Sequence, residues 1–294
     1  MSLKIGFCQD YNIFSVSGGA EMNDAAMFQE GLRRGHNMTL FNPDTPYSDQ
    51  DLVIISNCVT FDRFRLKNIA NSTKIVWFFH DYIFCRFRLF YPVAEQCKVC
   101  GYKNYWLELF KKAKLLIWLS PLHRDMTLKS LPEISSIPFA LIPSAIDPDP
   151  FLMKSDVPVT KKPAYLSVNT LYEFKGRENI LRWAKEHPKE ELHILSKVEC
   201  YEQFSHNVTV LPPMSYDMMP AVYREYENYL ELPSTPQPFN RTVIEAKLSG
   251  CKVHTNALMG CTSWDWFDGD KETIAAALRA APEQFWQAVE RNAK

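Results

Sequence analysis

The sequence predicts an α/β protein of two domains, each built around a doubly wound parallel β-sheet. Short apolar runs of strand length alternate with helical patterns through most of the 294 residues. Strands that are apolar along their whole length are typical of parallel sheets whose two faces are covered by helices. A proline-rich, charged stretch that begins at residues 147–150 separates two such halves, so we expect a domain boundary there.

In the N-terminal half, six apolar runs predict strands, and a helical pattern lies between the first two. The predicted helix covers roughly residues 20–34, with Ala25, Phe28 and Leu32 spaced to share its buried face. Gly35 follows and is a good residue to end a helix, because glycine adopts the left-handed conformation readily. The predicted strands are residues 4–8, 38–41, 52–56, 74–79, 114–119 and 139–142.

The C-terminal half repeats this alternation of strands and helices. Its predicted strands are residues 164–168, 192–195, 208–211, 229–232 and 252–255. Its predicted helices cover about residues 177–186, 215–225, 241–249 and 271–281. We therefore expect an N-terminal domain of residues 1–150, a C-terminal domain of residues 151–281, and a final helical segment over residues 282–294.

Composition and charge narrow the function classes. A content of 46% hydrophobic and 23% charged residues is typical of a soluble globular protein. The net charge of −1 gives no overall attraction to nucleic acid, so we expect no nucleic-acid partner. No apolar run approaches the ~20 residues that cross a bilayer, and the N-terminus has no basic-then-apolar leader. We expect a cytoplasmic protein whose eight cysteines are thiols rather than disulfides.

Two segments have the composition of anion-binding loops. The first places Gly18 and Gly19 between the first strand and the first helix, where helix N–H groups attract a phosphate. Taken alone, a glycine pair here is more typical of a tight turn between strand and helix, and the third glycine of the dinucleotide fingerprint is absent. The second segment, residues 232–250, runs from a strand end through a proline-rich loop into a helix carrying Glu245, whose carboxylate suits a ribose diol.

The second segment resembles the P-S-x-x-E-P-F-G-R-x-x-I-E-A-x-x-x-G stretch of retaining glycosyltransferases, in the large bacterial family that includes sucrose- and mannosyl-transferring enzymes. Other segments agree with that family in order and spacing, between about residues 4 and 256. They are Gly18-Gly19-Ala20-Glu21 with Gly35-His36, His80-Asp81, Ile142-Pro143-Ser144-Ala145-Ile146-Asp147 and Phe174-Lys175-Gly176.

The resemblance implies the GT-B fold, in which two Rossmann-like domains face each other across a cleft. It also implies that the final helix, residues 282–294, crosses back to the first domain. The expected reaction transfers a sugar from a nucleoside-diphosphate sugar, with UDP or GDP as the nucleotide, and retains the anomeric configuration. The acceptor would be a glycan, a lipid or a small molecule, and neither a cofactor nor a metal is expected.

By the same resemblance, His80 and Lys175 are the candidate catalytic residues. His80 would lie beside the transferring sugar, and Lys175 would neutralise the diphosphate leaving group. Backbone N–H groups of Thr242 and Val243 would bind the distal phosphate, and Glu245 would bind the ribose hydroxyls. The candidate donor-binding residues are Gly18, Gly19, Asn169, Lys175, Gln237, Asn240, Arg241, Thr242, Val243 and Glu245.

The sequence departs from the family pattern at three positions. Gln237 replaces a glutamate and is uncharged, Thr170 replaces an arginine, and Asn240 replaces a glycine. A charge-assisted hydrogen bond contributes roughly 1.5–3 kcal/mol, so the missing arginine weakens phosphate binding unless Arg177 or Arg241 compensates. Two other functions therefore stay open: a catalytically weak protein that binds nucleotide sugars, and a sugar-nucleotide epimerase.

The irregular segment of residues 81–105 has two features of its own. Cys85, Cys97 and Cys100 include a C-x-x-C pair, which is half of a typical zinc site, although free thiols are the simpler interpretation. The segment is also rich in aromatic and basic side chains, which suits an acceptor site or peripheral contact with a membrane. An ordinary loop packed on the domain is the favoured alternative.

Overall fold

The structure is a computed structural model that describes residues 2–15, 18–86, 101–153, 160–196 and 204–293. The chain divides into two compact units. The first unit contains Met1–Ile146 together with Ala277–Lys294, and the second contains Asp147–Ala276.

The first unit is built on a six-stranded parallel sheet. Its strands are β1 (Lys4–Cys8), β2 (Asn37–Phe41), β3 (Leu52–Ile55), β4 (Lys74–Phe78), β5 (Ala113–Trp118) and β6 (Phe139–Leu141). They pair in the order β2-β1-β3-β4-β5-β6, with every pairing parallel. The direction of winding reverses between β1 and β3, and ligands of such folds bind beyond the carboxyl ends of the strands at that point.

Short helices connect these strands. They are α1 (Gly19–Arg33), α2 (Arg63–Ser72), α3 (Tyr102–Phe110) and α4 (Pro121–Ser130). Gly35 has a φ of +82°, as expected for the residue that ends α1. Asp62 caps α2, and Ser120 caps α4, each by accepting a backbone N–H of the first turn. The apolar pattern predicted α1 alone. The buried faces of α2 and α4 are only two or three residues wide, and α3 begins within residues 81–105, which were expected to be irregular.

The second unit is built on a five-stranded parallel sheet. Its strands are β7 (Lys162–Val168), β8 (Leu192–Leu195), β9 (Val208–Leu211), β10 (Tyr226–Glu231) and β11 (Lys252–Thr255). They pair in the order β11-β10-β7-β8-β9. The winding reverses between β7 and β10. Its helices are α5 (Asp149–Leu152), α6 (Arg177–Glu186), α7 (Met219–Arg224) and α8 (Arg241–Leu248).

The last helix, α9, is longer than the sequence predicted. It runs without a break over Lys271–Ala293 and contains Pro282, where we expected one helix to end and another to begin. The part after Pro282 packs in the first unit, where the indole N–H of Trp286 donates to the carbonyl oxygen of Met27 at 2.7 Å. Burial of Trp286 in this unit stabilises the helix beyond the proline.

The same contact corrects the predicted face of α1. Leu32 is 45% exposed, whereas Asp24, Met27, Phe28 and Gly31 are buried. At Gly31 a Cβ atom would lie 3.0 Å from an indole carbon of Trp286, so the glycine makes room for that ring. The buried face of α1 is therefore shifted by about one residue, toward the side that α9 covers.

Both sheets are parallel throughout and alternate with helices, so the predicted fold class is confirmed. Within the described ranges, no helix is both long and apolar enough to cross a membrane.

Candidate functional site

Asn169 and Glu231 lie side by side at the switch point of the five-stranded sheet. Asn169 follows β7, and Glu231 is the last residue of β10. The Asn169 side-chain N–H groups donate to Glu231 Oε1 at 3.0 Å and to the carbonyl oxygen of Lys175 at 2.9 Å. Its Oδ1 accepts from the Leu171 N–H at 2.7 Å. Asn169 therefore holds the turn that carries Lys175 against the end of β10.

Lys175 is in direct contact with Gln237. Lys175 ends the 3₁₀ turn Glu173–Lys175, and its Nζ donates to Gln237 Oε1 at 2.6 Å. Gln237 is only 5% exposed, and its Nε2 donates to the carbonyl oxygen of Thr235 at 3.0 Å. Because an ammonium group has donors only, the contact orients the oxygen of the Gln237 amide toward Lys175. Two of the residues assigned to the donor by resemblance thus meet in the second unit.

The backbone around Lys175 has two unusual conformations. Gly176 has a φ of +87°, and a Cβ at this position would lie 2.6 Å from the carbonyl carbon of Leu232. Only glycine fits so close to another backbone segment. Leu171 has a φ of +55°, which is uncommon for a bulky residue. Backbone strain of this kind concentrates at functional sites, and here the hydrogen bond that the Leu171 N–H donates to Asn169 Oδ1 stabilises it.

Asn240 caps the N-terminus of α8. Its φ is +75°, a positive value that asparagine adopts more readily than other residues with a side chain. The Asn240 Oδ1 accepts from the Val243 N–H at 3.4 Å and from the Thr242 hydroxyl at 2.8 Å. The Tyr229 hydroxyl in turn donates to Thr242 Oγ1 at 2.6 Å. The Val243 N–H, expected to bind a phosphate, thus has a long hydrogen bond to the Asn240 side chain.

Glu245 lies one turn into α8 and is 2% exposed. Its carboxylate accepts from the Tyr216 hydroxyl at 3.1 Å and from the Tyr223 hydroxyl at 3.3 Å. The Arg241 Nε is 3.7 Å from the same carboxylate. Burial raises the pKa of Glu245 above its ordinary value, although Arg241 and the two tyrosines oppose that shift. The Glu245 carboxylate therefore has two tyrosine hydroxyls as hydrogen-bond donors and the Arg241 guanidinium beside it.

In the first unit, His80 has a buried carboxylate beside it. The His80 Nε2 lies 2.6 Å from Asp24 Oδ1, and the Ser56 hydroxyl donates to Asp24 Oδ2 at 2.7 Å. Asp24 is fully buried. Burial lowers the pKa of His80, but the charge and hydrogen bond of Asp24, together with the charges of Asp81 and Glu21, outweigh it and the net shift is upward. The pair therefore favours a protonated imidazole, which can donate a hydrogen bond to an oxygen-rich ligand.

Gly18 and Gly19 lie at the start of α1. Gly18 is the N-cap in an extended conformation, and the helix begins at Gly19. A Cβ at Gly18 would lie 3.1 Å from the carboxyl carbon of Glu21, so the glycine leaves space for this first-turn side chain. Ser17 lies outside the described residues. Packing of Glu21 is therefore a structural reason for a glycine at position 18.

Two of the buried carboxyls, Asp24 and Glu231, were not predicted from the sequence. Asp24 stands four residues before Phe28 on the buried face of α1, and Glu231 stands between two leucines at the end of a buried strand. Acidic side chains are rarely buried without a partner, because the charged form loses its hydration. An acidic residue in an apolar pattern was therefore the signal that would have found both.

The zinc hypothesis depends on residues that are mostly outside the described ranges. Cys85 is a buried free thiol, while Cys97 and Cys100 belong to the undescribed residues 87–100, with most of the aromatic segment. In the parts of the chain that the structure describes, no three His, Cys, Asp or Glu side chains are grouped to hold a metal.

No protein-family model matches the sequence, and no curated protein matches it significantly. Solved structures, by contrast, match almost the whole chain. Sucrose-phosphate synthase from Thermosynechococcus elongatus is 12% identical with a TM-score of 0.69, and the match covers 98% of this chain and 94% of that one.

Two further structures show the same likeness. Anabaena HepE in complex with UDP is 15% identical with a TM-score of 0.62, over 98% of this chain and 97% of that one. HepE is also known in complex with UDP-glucose. A glycosyltransferase from Rickettsia africae is 12% identical with a TM-score of 0.61, over 98% of this chain and 94% of that one. The chain therefore has the GT-B fold of these proteins, as the sequence predicted.

Proposed function

We propose that the protein is a glycosyltransferase that takes a sugar from a nucleoside-diphosphate sugar. The contact between Lys175 and Gln237 carries this proposal. It places a cation beside the switch point of a Rossmann-like sheet, where proteins of this architecture bind their ligands. The likeness to HepE, which binds UDP and UDP-glucose, supports a uridine nucleotide as the first donor to test.

In this proposal the second unit binds the donor. The Lys175 ammonium shares its hydrogen bonds between Gln237 and the diphosphate. The N-terminus of α8, through the N–H groups of Thr242 and Val243, binds the distal phosphate, because helix N-termini attract anions. Glu245 accepts the ribose hydroxyls in place of the Tyr216 hydroxyl, which now donates to it.

Lys175 then acts on the leaving group. Cleavage of the bond between the anomeric carbon and the diphosphate oxygen leaves additional negative charge on the diphosphate. A nearby ammonium and a helix N-terminus stabilise that charge more in the transition state than in the ground state. We expect the departing diphosphate to accept the proton of the acceptor hydroxyl, so that attack from the same face retains the anomeric configuration without a divalent metal. His80, supported by Asp24, donates a hydrogen bond to the transferring sugar.

A second candidate function is binding of nucleotide sugars without turnover. Gln237 is uncharged, and the Thr170 hydroxyl is buried without a hydrogen-bond partner, so neither supplies the charge that the family pattern has at that position. A GT-B-like epimerase is the third candidate, and it differs from both in converting the donor sugar without releasing it.

Release of nucleoside diphosphate from UDP-glucose, GDP-mannose and ADP-glucose tests the proposal. Lys175→Ala removes the ammonium, and we expect release to fall about ten- to a hundredfold, which is the value of a charge-assisted hydrogen bond. Lys162→Ala is the matched control, because Lys162 begins β7 at the opposite end of the strand and pairs with Glu225 at 2.8 Å. Release in this control, and release in the presence of EDTA, should be unchanged.

Three outcomes would contradict the proposal. If Lys175→Ala releases nucleoside diphosphate as fast as the native protein, the ammonium does not have the proposed role. Tight binding of the nucleotide without release by the native protein supports the second candidate. Interconversion of donor sugars without release supports the epimerase. The anomeric configuration of any product, read by NMR, tests retention separately.

A further inference from the structure

Glu231 is a buried carboxyl to which sequence reasoning assigned no role. It is 1% exposed, at the carboxyl end of a central strand of the second sheet. One oxygen accepts from Asn169, and the other, Oε2, is buried without a hydrogen-bond partner. A carboxylate in that position loses most of its hydration, which favours the protonated form.

Glu231 is coupled to Lys175 through two structural connections. The Asn169 side chain donates both to Glu231 and to the carbonyl oxygen of Lys175. In addition, the residues that follow each of them, Leu232 and Gly176, are in backbone contact, so the turn carrying Lys175 lies against the end of β10. These connections hold the turn that carries Lys175 beside Glu231, and the Lys175 ammonium interacts electrostatically with the Glu231 carboxyl. A change of charge at Glu231 is therefore felt at Lys175.

We propose that Glu231 is the proton-linked positioning residue of the donor site: its neutral form leaves the Lys175 ammonium to the donor diphosphate, and its carboxylate competes with the diphosphate for that ammonium. This inference rests on the proposed binding of a nucleoside diphosphate at Lys175. It adds that binding of the anion favours the protonated state of Glu231, so nucleotide and proton bind together.

The neighbouring titratable groups are consistent with this role. Burial raises the pKa of Glu231 to about 8, while Lys175 and the Asn169 hydrogen bond act in the opposite direction. Among the residues that the structure describes, Cys261, from the 3₁₀ turn Gly260–Ser263, and Tyr229, on β10 itself, are also coupled to it. Burial raises the pKa of both, so they stay neutral when Glu231 titrates.

Calorimetric titration of UDP into the native protein between about pH 7 and about pH 9 tests the proposal. With a pKa of about 8, the protonated fraction of Glu231 falls roughly tenfold over this range, and the Kd for UDP should rise by about the same factor. In Glu231→Gln, whose amide is always neutral, the Kd should change by less than about twofold. The terminal phosphate of UDP titrates near pH 6 and contributes equally to both proteins.

Glu225→Gln is the matched control, because Glu225 is an exposed glutamate at the opposite end of β10. It should keep the pH dependence of the native protein. Proton uptake by the native protein tests the proposal even if Glu231→Gln does not fold. At about pH 8, calorimetric titrations in two buffers of different ionisation enthalpy should show uptake of about half a proton for each UDP bound.

The outcomes separate this inference from the proposed function. Binding of UDP with no pH dependence, with no proton uptake, or with the same pH dependence in Glu231→Gln overturns the inference and leaves the function standing. Failure of the native protein to bind UDP at any pH overturns both.

Discussion

Replacing Gly176 by alanine tests whether the turn that carries Lys175 depends on its contact with the end of β10. A Cβ at this position would lie 2.6 Å from the carbonyl carbon of Leu232 and 2.9 Å from the Cα of Pro233. Both are backbone atoms, which cannot move aside by rotation of a side chain. The φ of +87° adds a penalty that any residue with a Cβ incurs.

The expected magnitude follows from these two effects. The left-handed conformation costs roughly 1–2 kcal/mol for a non-glycine residue, and relief of an overpacked contact typically costs about 1–3 kcal/mol more. Gly176→Ala should therefore lower the free energy of unfolding of the second unit by about 2–5 kcal/mol. Because the turn must shift away from Leu232, Lys175 loses its position at Gln237, and the affinity for UDP should fall about ten- to a hundredfold.

Gly250→Ala is the matched control in the same unit. Gly250 has a φ of +88°, but the atom nearest to a Cβ added there would be the Nζ of Lys271 at 3.1 Å, the far end of a flexible side chain. It should show only the conformational penalty of about 1–2 kcal/mol and no change in UDP affinity. Urea unfolding followed by circular dichroism, with calorimetric titration of UDP, measures both quantities. Equal destabilisation by the two substitutions, or unchanged UDP affinity in Gly176→Ala, would refute the reasoning.

Three further predictions concern the first unit. Trp286→Ala should lower its free energy of unfolding by about 3–5 kcal/mol, because the indole is fully buried; a loss below about 1 kcal/mol in urea unfolding would contradict this. The hydrogen bond from Arg34 lowers the pKa of Glu290 to about 2. That contribution is complete above about pH 4.5 and is lost as the pH falls toward about 2. Because Glu290 is 34% exposed, Glu290→Gln should remove only about 1 kcal/mol of acid-dependent stability, and an unchanged acid transition would argue against the pairing. Asp24→Asn should lower the pKa of His80 in an NMR titration. An unchanged pKa would show that the Asp24 carboxylate does not stabilise the protonated imidazole of His80.

The strands and their parallel pairing were predictable because buried parallel strands are apolar along their length. The contact between Lys175 and Gln237 is consistent with the resemblance, which assigned both residues to one donor site. The unbroken course of α9 was not predictable, since the local cost of Pro282 is offset by packing of Trp286 against a helix far away in the sequence.

The roles of Asp24 and Glu231 depend on partners that the sequence alone does not bring together. Asp24 meets His80 across 56 residues of sequence, and Glu231 meets Asn169 across 62. Local patterns report the burial of a position, but a hydrogen-bond partner at such a separation is fixed only by the topology of the sheet. The resemblance therefore assigned residues to a donor site, whereas the buried contacts of Asp24 and Glu231 emerge only from the structure.

The position of Trp286 has a consequence for how the chain is completed during synthesis. Its indole closes the core of the first unit on Met27, a residue that is made 259 positions earlier. The second unit, Asp147–Ala276, has all its residues before that indole leaves the ribosome. Domains usually finish folding in the order in which they are made. Here the apolar surface beside α1 stays uncovered until Trp286 has been translated. The second unit, although it is translated later than most of the first, is therefore the first whose residues are all available for folding.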